Sequence, residues 1–163
     1  MRALILYRSY YGNTRQVAEE IERSLRGLGH EAAVQDLRSR LPELAGIDCV
    51  FLGAPTRMAR VTGRAKAALR KLKARGLGSK PLAVFDTYGP VPKTPEEKAK
   101  AERWINPGAV GILAKRASQL GLNVHAQTLR CMVRELKGPL AEGELGIVAP
   151  FVKSFVASGS STS

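Results

Sequence analysis

The segment Ser9-Tyr10-Tyr11-Gly12-Asn13-Thr14 has residue types and spacing suited to holding a phosphate. It sets two hydroxyls, Ser9 and Thr14, on either side of Gly12 and Asn13, which tolerate unusual backbone dihedrals. A loop that leaves a strand and enters a helix presents unpaired N–H groups and the positive end of the helix dipole, and both attract an anion. Ser9 and Thr14 can donate to the same phosphate oxygens. The amides supply the positive potential, so no lysine is required. The segment has neither the GKS or GKT of a Walker loop nor the GxGxxG of a dinucleotide fingerprint. The plainer alternative is a capped turn with Asn13 or Thr14 as N-cap.

The elements around this loop must place it. Ala3–Arg8 is almost wholly apolar, the mark of a central parallel strand buried on both faces. After the loop, Val17, Ile21, Leu25 and Leu28 recur at helical spacing, and Gly29 is a stop. Glu31–Leu37 alternates and predicts an edge strand. Asp48–Gly53 and Pro81–Asp86 predict a third and a fourth strand, with a helix at Thr62–Arg75 between them. Thr94-Pro95-Glu96-Glu97 predicts a capped helix start running to Trp104, and Asn106-Pro107 starts another helix that ends at Gly121. A fifth strand is expected at Asn123–Leu129. The last helix is expected within Glu144–Ala157, with Pro150 forcing a late start or a kink.

Strands alternating with helices imply an α/β fold: a doubly wound five-stranded parallel sheet with order 2-1-3-4-5. Residues 1–157 are expected to form one domain and 158–163 a mobile polar tail. In that order the ligand crevice lies between the first and third strands. Three loops converge there: Ser9–Thr14, Ala54–Val61 and Thr87–Val91.

The chain has 163 residues, is 44% hydrophobic and has no apolar run near the ~20 residues of a membrane span. With no signal peptide at its start, a cytoplasmic location is expected. Cys49 and Cys131 show no metal-ligand spacing, and neither His30 nor His125 has a partner close in sequence, so no metal site and no catalytic side chain is assigned. Net charge is +12, which favours anionic partners. Arg57, Arg60, Arg64, Lys66, Arg70, Lys71, Lys73, Arg75 and Lys80 fall in a stretch, Cys49 to Phe85, without one acid. The run Arg57–Lys80 has almost no interleaved aromatic residues. Sequence-specific nucleic-acid recognition is therefore not expected, and any binding to DNA should be salt-sensitive and indifferent to sequence.

Ile5–Ile21, ILYRSYYGNTRQVAEEI, resembles the flavodoxin signature, with every motif position filled. The segment Gly53–Gly63, GAPTRMARVTG, resembles the "PTR" loop of the WrbA-type NAD(P)H:quinone reductases in that superfamily. The resemblance implies a flavodoxin-like fold and flavin mononucleotide (FMN) as cofactor. It implies that Ser9, Tyr11, Gly12, Asn13 and Thr14 hold the phosphate, with Tyr10 in the same loop. Pro55, Thr56, Arg57 and Met58 would border the flavin ring, and Thr87, Tyr88 and Gly89 would form a third wall. Met58 stands where many flavodoxins stack an aromatic. Flavodoxins are usually acidic around the flavin, and this chain is basic. Trp104 either covers the flavin or anchors the inserted helix. Family members also flip a peptide of the second loop, which needs a residue tolerant of positive φ. Thr56–Val61 has no glycine or asparagine, so this loop is expected to avoid that conformation.

Three functions are compatible with these residues. One is an FMN-dependent oxidoreductase using NAD(P)H and a quinone or a protein redox partner. A second is a one-electron carrier docking on an acidic redox protein. A third is a flavin-free basic module whose helix Thr62–Arg75 contacts nucleic acid or an acidic protein.

Overall fold

The computed structural model describes residues 1–160. Side chains alternate between two cores along each central strand. In β1 (Arg2–Tyr7), Ala3, Ile5 and Tyr7 point to one core, while Leu4 and Leu6 point to the other. In β3 (Cys49–Pro55), Cys49 and Phe51 oppose Val50, Leu52 and Ala54. In β4 (Leu82–Tyr88), Ala83 and Phe85 oppose Leu82 and Val84. Period-two alternation of apolar groups on both faces commits these strands to the middle of a sheet covered on both sides. With β2 (Glu31–Asp36) and β5 (Leu129–Met132) outside them, the sheet is parallel throughout, in the expected order β2-β1-β3-β4-β5.

One layer holds α1 (Asn13–Gly27) and α5 (Val148–Ser160), which bury Val17, Ile21, Leu25, Val148, Phe151, Val152 and Phe155 against the sheet. The other holds α2 (Gly63–Ala74) and α4 (Gly108–Gln119), with Ala65, Leu69, Leu72, Val110, Leu113 and Ala117 inward. Thr94 caps α3 (Pro95–Ile105) through the Glu97 amide, as the sequence predicts, and Thr62 caps α2 through the Ala65 amide. A 3₁₀ turn at Glu144–Ile147 precedes α5, so Pro150 falls in the first helical turn, where its missing N–H is harmless.

Three expectations shift. Leu28 is not part of the core but caps the exposed end of α1. The fifth strand is not Asn123–Leu129: Val124 makes a single bridge to Leu82, and β5 begins at Leu129, where Arg130 lies opposite Asp86. α5 runs to Ser160, past the Ala157 limit expected for the last helix, and residues 161–163 of the expected tail lie outside the described residues.

His125, between these two strand segments, stands edge-on to Phe151 and Phe155, and its Nε2 is buried without a hydrogen-bond partner. Burial holds the ring below the ordinary value of 6.5, so the fold favours the neutral form. The stability this contributes is present above 6.5. It is lost as pH falls below that value, because the unfolded chain then takes up a proton the folded chain refuses. Replacement His125→Phe should flatten the decline in urea midpoint between about pH 7 and pH 5. An unchanged pH profile in the variant would show that His125 has no part in it.

Candidate functional site

The carboxyl ends of β1, β3 and β4 open into a cleft of about 870 Å³, and the three loops expected at the switch point supply its walls. Ser9, Tyr10, Tyr11, Asn13 and Thr14 line it from the first loop. Pro55, Thr56, Arg57 and Met58 line it from the second, and Thr87, Tyr88 and Gly89 from the third. Gly12 does not face the cleft. It sets the entry to α1 as the N-cap, at φ 90°, in place of Asn13 or Thr14.

The first loop is arranged as an anion cradle. Helix α1 has no side-chain cap and no acid in its first turn. Among the described residues, no acceptor meets the amides of Asn13, Thr14 or Arg15; the first helical bond to the loop is Gln16 N–H to the Gly12 carbonyl. Asn13 and Thr14 are buried, at 9% and 1% exposure, so their amides are donors in a buried setting with no protein partner, the signature of a site that receives a ligand. Ser9 Oγ accepts from the Gly12 amide at 3.0 Å, which leaves its proton free to donate into the cleft. Thr14 Oγ1 lies 2.8 Å from Thr87 Oγ1, tying the first turn of α1 to the end of β4. Asn13 is turned the other way, donating to the Lys137 carbonyl. The guanidinium groups of Arg8 and Arg57 lie 4.3 and 4.5 Å from the centre of the Tyr10 ring, so two cations flank the loop.

The second loop corrects the expectation about its backbone. Arg57 and Arg60 exchange both N–H···O=C bonds, 3.0 and 2.9 Å, across Met58 and Ala59, which sit at φ 51° and 63°. This is a two-residue hairpin of type I′, whose right-handed twist requires positive φ at both central residues. Two non-glycine residues therefore adopt the left-handed region, at roughly 1–2 kcal/mol each. The turn exposes Met58 at the cleft mouth.

Thr56 lines the cleft, but its hydroxyl is engaged elsewhere. It donates to Asp86 Oδ2 at 2.6 Å and accepts from the Ala109 amide at 2.8 Å. Asp86 is fully buried, accepts from Arg130 Nε at 3.0 Å and takes the Val110 amide at 3.4 Å. Thr56 and Asp86 together cap α4 from two strands away. Burial pushes the Asp86 carboxyl up, while Arg130, Thr56 and the Val110 amide pull it back down. Arg130 also donates to the Ile105 carbonyl and to Asn106 Oδ1, and stacks 4.2 Å from the centre of the Tyr88 ring. Gly108, at φ 70°, lies against this cluster. A Cβ there would fall 2.4 Å from Arg130 Nη2 and 3.1 Å from Asp86 Oδ2.

The same cluster fixes the inserted helix. α3 buries no residue, and its hold on the domain is at Ile105 and Asn106. Trp104 is not that anchor. It lines the cleft with Ala101 and Ile105 and remains 44% exposed. Sequence reasoning missed Arg8 beside the Tyr10 ring and the cleft wall formed by Val133 and Leu136 after β5. Tyr10 between two basic residues gave no sequence signal. Val133 and Leu136 flank two adjacent charges, Arg134 and Glu135, a pattern any surface loop could share.

A cleft at the switch point of a doubly wound parallel sheet, with free helix amides on one side and apolar walls on the others, defines a nucleotide-type cofactor site. Residues 4–139 match the flavodoxin domain family, and the chain belongs to that family. FMN is its cofactor and electron transfer its chemistry, which removes the flavin-free module as an account of the protein. Oxidised flavodoxin 2 from Bacillus cereus aligns with a TM-score of 0.75 at 24% identity, over 97% of this chain and 99% of that one. Flavodoxin 1 from the same organism aligns at 0.72 and 21%, over 96% and 98%. Rubredoxin oxygen:oxidoreductase from Desulfovibrio gigas aligns at 0.68 and 16%, over 93% of this chain and 34% of its own. At such identities these likenesses speak for the fold. No curated protein matches the chain by sequence.

Arg130→Leu leaves the Asp86 carboxylate buried and unpaired, and should destabilise the domain by about 3–5 kcal/mol in urea unfolding. It should also shift the emission of Trp104, the single tryptophan, as α3 loses its anchor. A variant with native midpoint and emission would show that the pair does not organise this wall. Ser9→Ala, which removes the hydroxyl whose proton is free in the cleft, should weaken FMN binding by about 1–3 kcal/mol, the loss of a hydrogen bond to a charged group. Fluorescence titration checks this, and equal affinity for FMN and riboflavin would mean that the first loop does not hold a phosphate.

Proposed function

We propose that this protein is an FMN-dependent oxidoreductase that takes electrons from NAD(P)H and passes them in pairs to a small planar quinone. The observation that carries this reading is the cleft wall itself. Trp104, Ile105 and Ala101 of α3 face Met58 and Leu136, giving apolar room beside the ring-bordering loops, and the charged side chains that line the cleft are Arg57 and Arg60, with no acid among them. When bound, FMN would supply the hydride and electron chemistry, and the chain supplies position and electrostatics. In this assignment Ser9 and the amides of Asn13 and Thr14 hold the phosphate. Tyr10, Tyr11 and Gly12 shape the same loop. Pro55, Arg57 and Met58 border one side of the ring, and Tyr88 and Gly89 the other, with Thr56, Thr14 and Thr87 fixing those loops through their mutual bonds. Arg57 and Arg60 favour the negative charge the ring gains on reduction and are placed to meet a dinucleotide phosphate. Pairwise electron transfer rests on this charge alone, since the left-handed Met58-Ala59 turn removes the backbone barrier expected for the loop. Free, buried thiols at Cys49 and Cys131 support a cytoplasmic setting; burial pushes both up to about 12, so neither offers a thiolate.

The second reading, a one-electron carrier for an acidic redox protein, is favoured by the exposed lip of Tyr10, Tyr11, Met58 and Leu136. Anaerobic stopped-flow mixing of the FMN-loaded protein with NADPH or NADH separates the two. Bleaching of the flavin band in a single saturable step, followed by recovery on adding a quinone, is the expected result. Reduction by dithionite but by neither nicotinamide would move the carrier into first place.

A further inference from the structure

The two helical layers differ in charge in a way the cleft does not explain. On α1, each of three arginines meets a glutamate of the same helix: Arg15 with Glu19, Arg23 with Glu20 and Arg26 with Glu22. On the opposite layer, α2 carries Arg64, Lys66, Arg70, Lys71 and Lys73, α4 carries Lys115 and Arg116, and neither helix has an acid. No aspartate or glutamate occurs from Cys49 to Phe85, or from Arg103 to Arg134. Among the described residues, none of these α2 and α4 basic groups takes part in an ion pair.

Ordinary structural roles account for some of this charge. Lys71, Lys73 and Arg116 stand in last turns, where cations complement the helix dipole, and Arg75 donates to the Leu41 carbonyl. Lys66, Arg70 and Lys115 have no such role. Lys66, Arg70 and Lys73 recur at i, i+4 and i+7, forming one stripe beside the buried face of α2. Lys73 shows which way the stripe faces. Its Nζ lies 3.5 Å from where Gly121, at the end of α4, would carry a Cβ.

We propose that the α2–α4 face binds the phosphate backbone of double-stranded nucleic acid without reading its sequence. Charge complementarity selects a polyanion. The remaining chemistry of the face selects among polyanionic partners. None of the exposed large apolar side chains lies on α2 or α4: five border the cleft, and Met1, Leu28 and Ile147 lie on other elements. The face thus lacks the aromatic or aliphatic anchors that centre a protein interface or enter a bilayer. It also lacks the aromatics on which unpaired bases stack. Contacts to phosphates along a duplex need neither. The cleft opens at the carboxyl ends of the strands, whereas the stripe runs down α2 toward its C-terminus, so flavin and duplex do not compete.

The test is fluorescence anisotropy of a short labelled duplex titrated with the full chain at several salt concentrations. Saturable binding at about 50 mM salt is expected, with affinity falling steeply toward 200 mM and no preference among sequences. K66Q/R70Q/K73Q should lower the slope of log affinity against log salt by about 2.7, so that the loss across that salt range shrinks about 40-fold. R15Q/R23Q/R26Q changes net charge equally on the other layer and should leave the slope unchanged. If the α2 triple fails to retain FMN, the single changes K66Q and R70Q, each worth about 0.9 in slope, replace it; if the α1 triple fails, R23Q and R26Q replace it as controls that leave the slope unchanged. Absence of saturable binding, equal effects from both triples, or competition by polyglutamate as effective as by unlabelled duplex would each overturn the proposal.

Discussion

The Asp86–Arg130 pair organises the ligand-binding end of the domain. Asp86 is fully buried at the end of β4, and an isolated carboxylate there would be strongly disfavoured. It is retained because Arg130, Thr56 and the Val110 amide all reach it, and each belongs to a different part of the chain. Satisfying one charge therefore joins the second loop, the start of α4, the fifth strand and, through Ile105 and Asn106, the end of α3. Gly108 keeps the space this cluster needs. Each of these segments borders the cleft or holds something that does, so the cleft inherits its shape from a bond network that lies mostly behind its wall.

Electrostatics divide the molecule in two senses. At the cleft, positive potential comes from groups fixed by the fold: the free amides opening α1, and the arginines flanking Tyr10. Over the helical layers, α1 balances its own arginines while α2 and α4 leave theirs unbalanced. The first arrangement is local and confined to the cleft. The second is exposed and is screened by salt over about 10 Å.

Much of this was legible in the sequence because the signals were short-range. Continuous apolar runs gave β1, β3 and β4, and SYYGNT announced an anion loop by its hydroxyls and its position before a helix. What escaped depended on distant partners. The fifth strand was expected too early, at Asn123–Leu129, because the pairing of β5 with β4 places Arg130 against a residue 44 positions earlier. The Met58-Ala59 turn has none of the asparagine or glycine that usually marks positive φ, so its conformation is imposed by the strands and bonds around it. Thr56 read as a ring neighbour, yet its hydroxyl serves Asp86 and α4.

The attachment of α3 sets how that helix can move. Among the described residues no hydrogen bond or ion pair joins residues 90–104 to another element, while Ile105 and Asn106 are held by Arg130. The helix is thus a lever some 16 Å long with its fulcrum at one end. Trp104 stands beside the fulcrum and travels least when the lever tilts, whereas Thr94 at the far end travels most. The aromatic wall of the cleft stays in register with the sheet, and any widening of the mouth occurs on the side away from the tryptophan.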